Sequence, residues 1–358
     1  MQPVSPVERM RITYGAMKPR GGFTAGKLPP ALMVKLLRTL RNRDTSVKLG
    51  PAMGEDAAAI RLQGNRYLIA KTDPITFTTH RAAELLLQVN ANDLATRGAH
   101  PRYLQVAAFF PPGTTAREVA QHFRDLRSAA KKLGVTITGG HTEVTAAVTR
   151  PVLVGNMLGF VSARRLLSTG GARVGDILVM AGAAGIEGSV ILAHDRARQI
   201  QRALGRAALR AAQRLEVFPG TSVLRAGLIA ADAGAHAMHD PTEGGVGAAI
   251  HEMAYAAGLC ARVELDRIPV LEITRDLCRV MGIDPLGLTS SGALLIAVSP
   301  RRTARLIDAL ATAGIAATAI GKFQAGRGVR AMRDGKPARL PWFKRDEILR
   351  LPDDEVHL

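Results

Sequence analysis

Cysteine is almost missing from this 358-residue chain, which has only Cys260 and Cys278. Two are too few for a disulfide framework or a cysteine-based metal centre, and both read as reduced core thiols. Aromatic residues are scarce, at 4% with a single Trp. That scarcity weighs against single-strand nucleic-acid binding, which needs rings on which bases stack. No apolar run reaches the ~18–20 residues of a membrane helix. Met1 to Arg20 lacks the apolar stretch of a secretory signal, so a cytoplasmic protein is expected. No G-x-S-x-G, H-E-x-x-H or cysteine pair is present.

Acidic residues are outnumbered, 30 against 48 Lys and Arg, for a net charge of +18. Such an excess, mostly Arg, invites a nucleic-acid reading because it can neutralise phosphates. The densest stretch, Arg196–Arg214, alternates Arg with Ala and Leu and reads better as a solvated helix face. Apolar residues at 47% and charged residues at 22% are those of a globular protein, and the length predicts two domains.

Residues 1–44 read as a basic Pro/Gly-rich arm followed by a helix after Pro29-Pro30. Strands are predicted at Ala57–Leu62 and Tyr67–Lys71, joined by a turn at Gln63-Gly64-Asn65. A helix is predicted from Arg81 to Arg97, with Leu85, Leu86, Val89 and Leu94 near one face. Helix and strand signals then alternate to about residue 322, which predicts an α/β or α+β class. A break near Ser162–Val174 is taken as the domain boundary. The division is 45–164, 165–325 and a basic-then-acidic tail over 326–358, read as loop with a short terminal helix.

Four clusters in the first half carry acids beside glycine or at element ends: Gly54-Glu55-Asp56, Thr72-Asp73-Pro74, Asn90-Ala91-Asn92-Asp93, and Gly139-Gly140-His141-Thr142-Glu143. Hard oxygen ligands on several loops suit Mg²⁺, which keeps water and phosphate oxygens in its shell. Each cluster also has a plainer reading. Asp73 can start a turn with Pro74, Asp93 can sit on a helix surface, and Glu55-Asp56 can be solvated loop. In the second half, Asp240-Pro241-Thr242-Glu243-Gly244-Gly245 precedes an apolar helix. Gly244 and Gly245 could present N–H groups to an anion, or the segment could be an ordinary turn. The glycine-rich loop Gly182–Gly188 lacks the Walker lysine and is explained as well by tight packing. His236 and His239 beside Asp240 suggest a metal pair, but with no further ligands at zinc spacing they read better as outward positions on a strand.

The ordered set GEDAA (Gly54–Ala58), TDP (Thr72–Pro74), NANDLATRGAHP (Asn90–Pro101), GGHTEV (Gly139–Val144) and DPTEGG (Asp240–Gly245) resembles the ATP-dependent superfamily typified by aminoimidazole ribonucleotide synthetase, the PurM-like proteins. Ser168–Ala172, Gly175-Asp176 and Asp284-Pro285-Leu286 most resemble its hydrogenase-maturation protein E branch. The resemblance implies an α+β architecture, with an α/β-type N-terminal domain that forms a homodimer through its sheet and an α+β C-terminal domain. It further implies ATP in a groove between them and Mg²⁺ held by Asp56, Asp73 and Asp93. Asp93, Asp240 and Glu243 would take part in catalysis. Asn92, Gly139, Gly140, His141, Thr142, Gly244 and Gly245 would contact the cofactor.

The chemistry implied is phosphorylation or ATP-driven dehydration of a small molecule or protein group, without membrane or nucleic acid. Two further readings stay open: a kinase resembling thiamine-monophosphate kinase, and a nucleotide-binding maturation scaffold without turnover. His141 stands where many members carry an acid. The sequence closes on Glu355-Val356-His357-Leu358, without the C-terminal cysteine on which the dehydratase presents its substrate. Thr289-Ser290-Ser291-Gly292 does not match the kinase's acidic motif.

Overall fold

The computed structural model describes residues 28, 30–40, 44–76, 78–343 and 345–351. The expected arm before Pro29 and the acidic run Asp353–Glu355 lie outside the described residues.

A helix, α1 (Pro30–Thr39), leads into six strands: β1 (Val47–Leu49), β2 (Ala58–Leu62), β3 (Arg66–Ile75), β4 (His100–Phe110), β5 (Thr136–Val144) and β6 (Val152–Ser162). They form one sheet in the order β1-β2-β3-β6-β4-β5. The β2–β3 hairpin turns at Gln63–Asn65, where Gly64 and Asn65 both take positive φ, as a tight hairpin requires. Period-2 alternation puts Tyr67 and Ile69 on the buried face of β3, with Lys71 and Asp73 further along the same face.

Two helices cover the sheet, α2 (Ala82–Thr96) and α3 (Ala116–Leu133). Thr115 and Glu118 close a capping box at the start of α3, and left-handed Gly134 ends it. Its apolar stripe buries Leu126, Ala129 and Ala130, while its charged face meets solvent.

The second half contains α4 (Ile186–Asp195), α5 (Ala197–Arg214), α6 (Leu224–Asp232), α7 (Gly245–Ala257), α8 (Glu272–Met281) and α9 (Pro300–Thr312). Its sheet runs β13-β12-β9-β11-β7-β10-β8, built from β7 (Ile177–Ala181), β8 (Ala237–His239), β9 (Cys260–Glu264), β10 (Leu294–Val298), β11 (Ala317–Gln324), β12 (Gly328–Arg333) and β13 (Lys336–Ala338). Every residue of β10 is buried, because helices pack on both faces of this sheet. Cys260 and Cys278 are free and buried, as expected.

Two expectations are corrected. The stretch after Gly326 is not loop: β12 pairs in parallel with β9, and β13 pairs with β12. The helix α2 does not bury a single stripe. From Asn90 to Ala99 every residue is buried. One side of α2 lies on the first sheet, and Ala95 on the other side approaches the α6 backbone so closely that a Cβ on Gly227 would lie 2.9 Å from its own. This helix is the seam between the two halves.

Candidate functional site

The buried polar residues of α2 meet three other segments at this seam. From β3, Lys71 Nζ reaches Asp93 Oδ2 at 2.7 Å and Asp73 Oδ2 at 3.5 Å. Asp73 does not start a turn: Pro74 follows it within β3, opposite Val154 and beyond the last residue that β2 pairs. On the β2 side, therefore, the missing N–H of Pro74 leaves no ladder bond unmade.

At the C-terminal end of α2, Arg97 is fully buried. Its guanidinium donates to Glu55, to Asp56 Oδ2 at 2.7 Å, to Thr169 Oγ1 at 2.8 Å and to the Met238 carbonyl at 3.4 Å. Glu55 and Asp56 are thus not solvated loop. They clamp a cation that reaches across to the second half.

His239, read as outward-facing, is buried at the end of β8. Its Nε2 donates to Glu252 of α7 at 2.7 Å. Its Nδ1 lies 2.8 Å from Asp56 Oδ1, at ion-pair distance but without hydrogen-bond alignment. Asp240 follows, 2% exposed, with Oδ1 buried and unpartnered. Asp56, His239 and Asp240 each offer a ligand atom within 4.8 Å of the other two.

The electrostatics follow from burial and spacing. Burial works to raise Asp56, but His239 and Arg97 outweigh it and hold the carboxyl below the usual range. Burial would lower Lys71 and His239. The acids around them reverse that, so both stay charged. Burial pushes Asp93 well up despite Lys71, with Asp240 adding to the push, and burial and the charge on Asp56 take Asp240 to about 6.

The other expected residues fall into three groups. Asn92 is buried and committed to the seam: its Nδ2 donates to the Thr221 carbonyl at 3.0 Å and its Oδ1 accepts from Val223 N at 2.8 Å. Its neighbour Asn90 keeps a buried, unpartnered Oδ1. Gly244 N donates to Asp346 Oδ2 at 2.9 Å and Gly245 N to the Thr242 carbonyl at 2.9 Å, so a carboxylate of this chain already occupies that helix start. Glu243 is half-buried in the same turn, and its charge helps to raise Asp346.

Gly139, Gly140, His141 and Thr142 lie on β5, which is exposed along its whole length. His141 is in register with Ala107, Val154 and, three strands over, Pro74. At about 4.8 Å per strand, this places it roughly 14 Å from the acids. Within one chain, the structure gathers Asp56, Asp73, Asp93 and Asp240 but not these four. In the loop Gly182–Gly188, Gly185 N donates to Ser290 Oγ and Gly188 N to the Thr289 carbonyl, which supports the packing account.

Lys71, Arg97 and Glu252 join the site without any motif in the sequence that marks a role for them, and His239 joins it from a strand position expected to face outward. Lys71 could have been found, since it stands two residues before Asp73 and so shares its strand face.

The family of AIR synthase related proteins matches this chain with its N-terminal domain over residues 54–161 and its C-terminal domain over 173–334. Carbamoyl dehydratase HypE of Rhodobacter capsulatus is 26% identical over 305 residues, 85% of this chain and 85% of that protein. A solved HypE–HypF complex includes a chain that superposes with a TM-score of 0.71 at 20% identity, covering 86% of this chain and 98% of that one. Hydrogenase maturation protein HypE in complex with ATP superposes at 0.65 and 24% identity, covering 80% and 87%. The two-domain PurM-like α+β architecture implied by the motifs is the one observed. The chain belongs to the AIR synthase related family, with both of that family's domains present.

Proposed function

We propose that this protein is a Mg²⁺- and ATP-dependent enzyme of the hydrogenase-maturation E type, which phosphorylates or dehydrates a small-molecule or protein-group substrate. The observation that carries this reading is the unpartnered Oδ1 of Asp240, buried beside Asp56 and Asp93 at the seam. An orphaned carboxylate oxygen among like charges fits a divalent cation. Asp56, Asp73 and Asp93 are the proposed metal ligands, with Asp93, Asp240 and Glu243 the proposed catalytic acids. When bound, Mg²⁺ would neutralise phosphate charge and orient the triphosphate for transfer. Lys71 holds Asp93 and Arg97 holds Asp56 in place at the seam. The solved HypE complex with ATP supports the nucleotide reading.

An extended nucleotide with its phosphates at the acids would have to run along the sheet to reach Gly139, Gly140, His141 and Thr142. Asn92, Gly244 and Gly245 would shape the site through the bonds described above rather than by direct capture. The open edge of β5, fully exposed with Ile137 and Val144 upon it, supports a homodimer formed through that strand. We place the protein in the cytoplasm. No helix among the described residues is long and apolar enough to cross a membrane.

The test is incubation with Mg²⁺–ATP and a macromolecule-free cell extract, read by mass spectrometry. A phosphorylated product identifies a kinase; a dehydrated product with released ADP or AMP identifies the dehydratase class. Nucleotide and Mg²⁺ titrations that are the same for wild type and Asp240→Asn would sink the proposal.

A further inference from the structure

A second group of ligand-type side chains converges away from the acids. His80 lies just before α2, His194 in the last turn of α4, and Glu216 just after α5. The first belongs to one half of the molecule and the other two to the other half. His80 Nε2 is 3.4 Å from Glu216 Oε1, and His194 Nε2 is 3.8 Å from Glu216 Oε2. The imidazole rings lie 4.7 Å apart, tilted by 38°. One ligand atom from each residue lies within 4.8 Å of the others. Donors on a tetrahedral Zn²⁺, at about 2.0–2.1 Å from the ion, sit roughly 3.4 Å from one another. The His80–Glu216 distance matches that, while His194 reaches the other carboxylate oxygen at 3.8 Å and the three donors lie within 4.8 Å, so the side chains need draw in by only about an ångström to close on an ion.

The surroundings favour a metal over a simple ion pair. Two imidazoles this close would repel if both were charged, yet both point their Nε2 atoms at one carboxylate. Arg81 Nη1 holds Oε1 of that carboxylate at 2.9 Å. This leaves Oε2 toward His194 and fixes the carboxylate from outside, as supporting contacts to metal ligands do. Arg81 is held in the left-handed region, with φ 49° and ψ 31°. Strain of this kind persists where surrounding contacts over-determine a residue. Glu216 is largely shielded, while His80 and His194 remain open to solvent, so water can take a fourth position.

We propose that His80, His194 and Glu216 form a Zn²⁺ site that ties the residue-80 loop of the first half to the second half. Two imidazoles and one carboxylate suit Zn²⁺ rather than Mg²⁺, which takes oxygen ligands in octahedral geometry. This site is therefore chemically distinct from the acidic centre.

The experiment is a Co²⁺ titration of the full chain in saturating Mg²⁺, followed by displacement with Zn²⁺. Wild type and the exposed-residue variants His80→Ala and His194→Ala are compared, with circular dichroism as the check on folding. Wild type should take up about one Co²⁺ per chain with four-coordinate visible absorption, and Zn²⁺ should abolish the signal. Each variant should bind at least tenfold more weakly, and the rise in Tm with Zn²⁺ should be confined to wild type. Absence of binding in wild type overturns the proposal. So does affinity retained in either variant, which would place the ion elsewhere, for instance at Asp56, His239 and Asp240.

Discussion

Lys71 Nζ sits 2.7 Å from Asp93 Oδ2, so the acid inside the seam helix is balanced by a cation projected from β3. Both side chains are mostly withdrawn from water. Removing one partner of a buried pair costs more than the pair itself contributes, because the other charge stays behind. Lys71→Met should lower unfolding free energy by about 3 kcal/mol, measured by urea denaturation. Added Mg²⁺ should recover part of the loss, since it can take the place of the missing cation. No effect of Mg²⁺ on the variant would count against the acids as a metal site.

Arg97 makes a different kind of contact. Its fork reaches Glu55, Asp56, Thr169 and the Met238 carbonyl at once, and an ammonium group cannot match that planar geometry. Arg97→Lys should therefore destabilise nearly as much as Arg97→Met, on the order of 3–5 kcal/mol. Recovery of wild-type stability by lysine would show that charge alone is needed there.

Asp346 caps the start of α7 from the tail, accepting from Gly244 N and Ile348 N, and is 2% exposed. Burial raises its pKa to about 6, against the bonds from Ile348 and Gly244. A carboxyl whose folded pKa lies above its unfolded value holds its proton more tightly when folded. Its contribution to stability therefore falls as pH rises from about 4 to 6 and is flat above that. The fall should be at most about 3 kcal/mol. Asp346→Asn should remove this slope while keeping much of the cap, as read by Tm against pH.

What could be read from the sequence depended on whether the relevant partners were local. The β2–β3 turn was legible because glycine and asparagine act on their own neighbours. The buried second side of α2 was not, since its other wall comes from residues 221–238 and only folding brings it there. His239 looked like an outward strand position for the same reason: Asp56 and Glu252 are distant in sequence. β12 pairs with β9 some seventy residues earlier, so nothing nearby marked it as a strand. The acidic clusters were legible as a set, whereas the two cations that organise them were not. A lone Lys or Arg carries no signal until its acids surround it.

The edge strand β5 poses the last question. All nine of its residues are exposed, including Ile137 and Val144, and beside it a groove of about 680 Å³ runs under Phe123 of α3. An open edge of this length, with apolar side chains on it, is a template for another strand. Val144 is 58% exposed, so a charged residue there costs a folded monomer little. Placed against a second copy, the same charge would be desolvated or would face its own image. Val144→Lys should therefore give a monomer by light scattering at concentrations where wild type is a dimer. The thermal midpoint of the variant should no longer depend on protein concentration, while that of wild type should rise with it. A wild type that is monomeric at high concentration, or a variant that dimerises equally well, would remove β5 as the pairing edge.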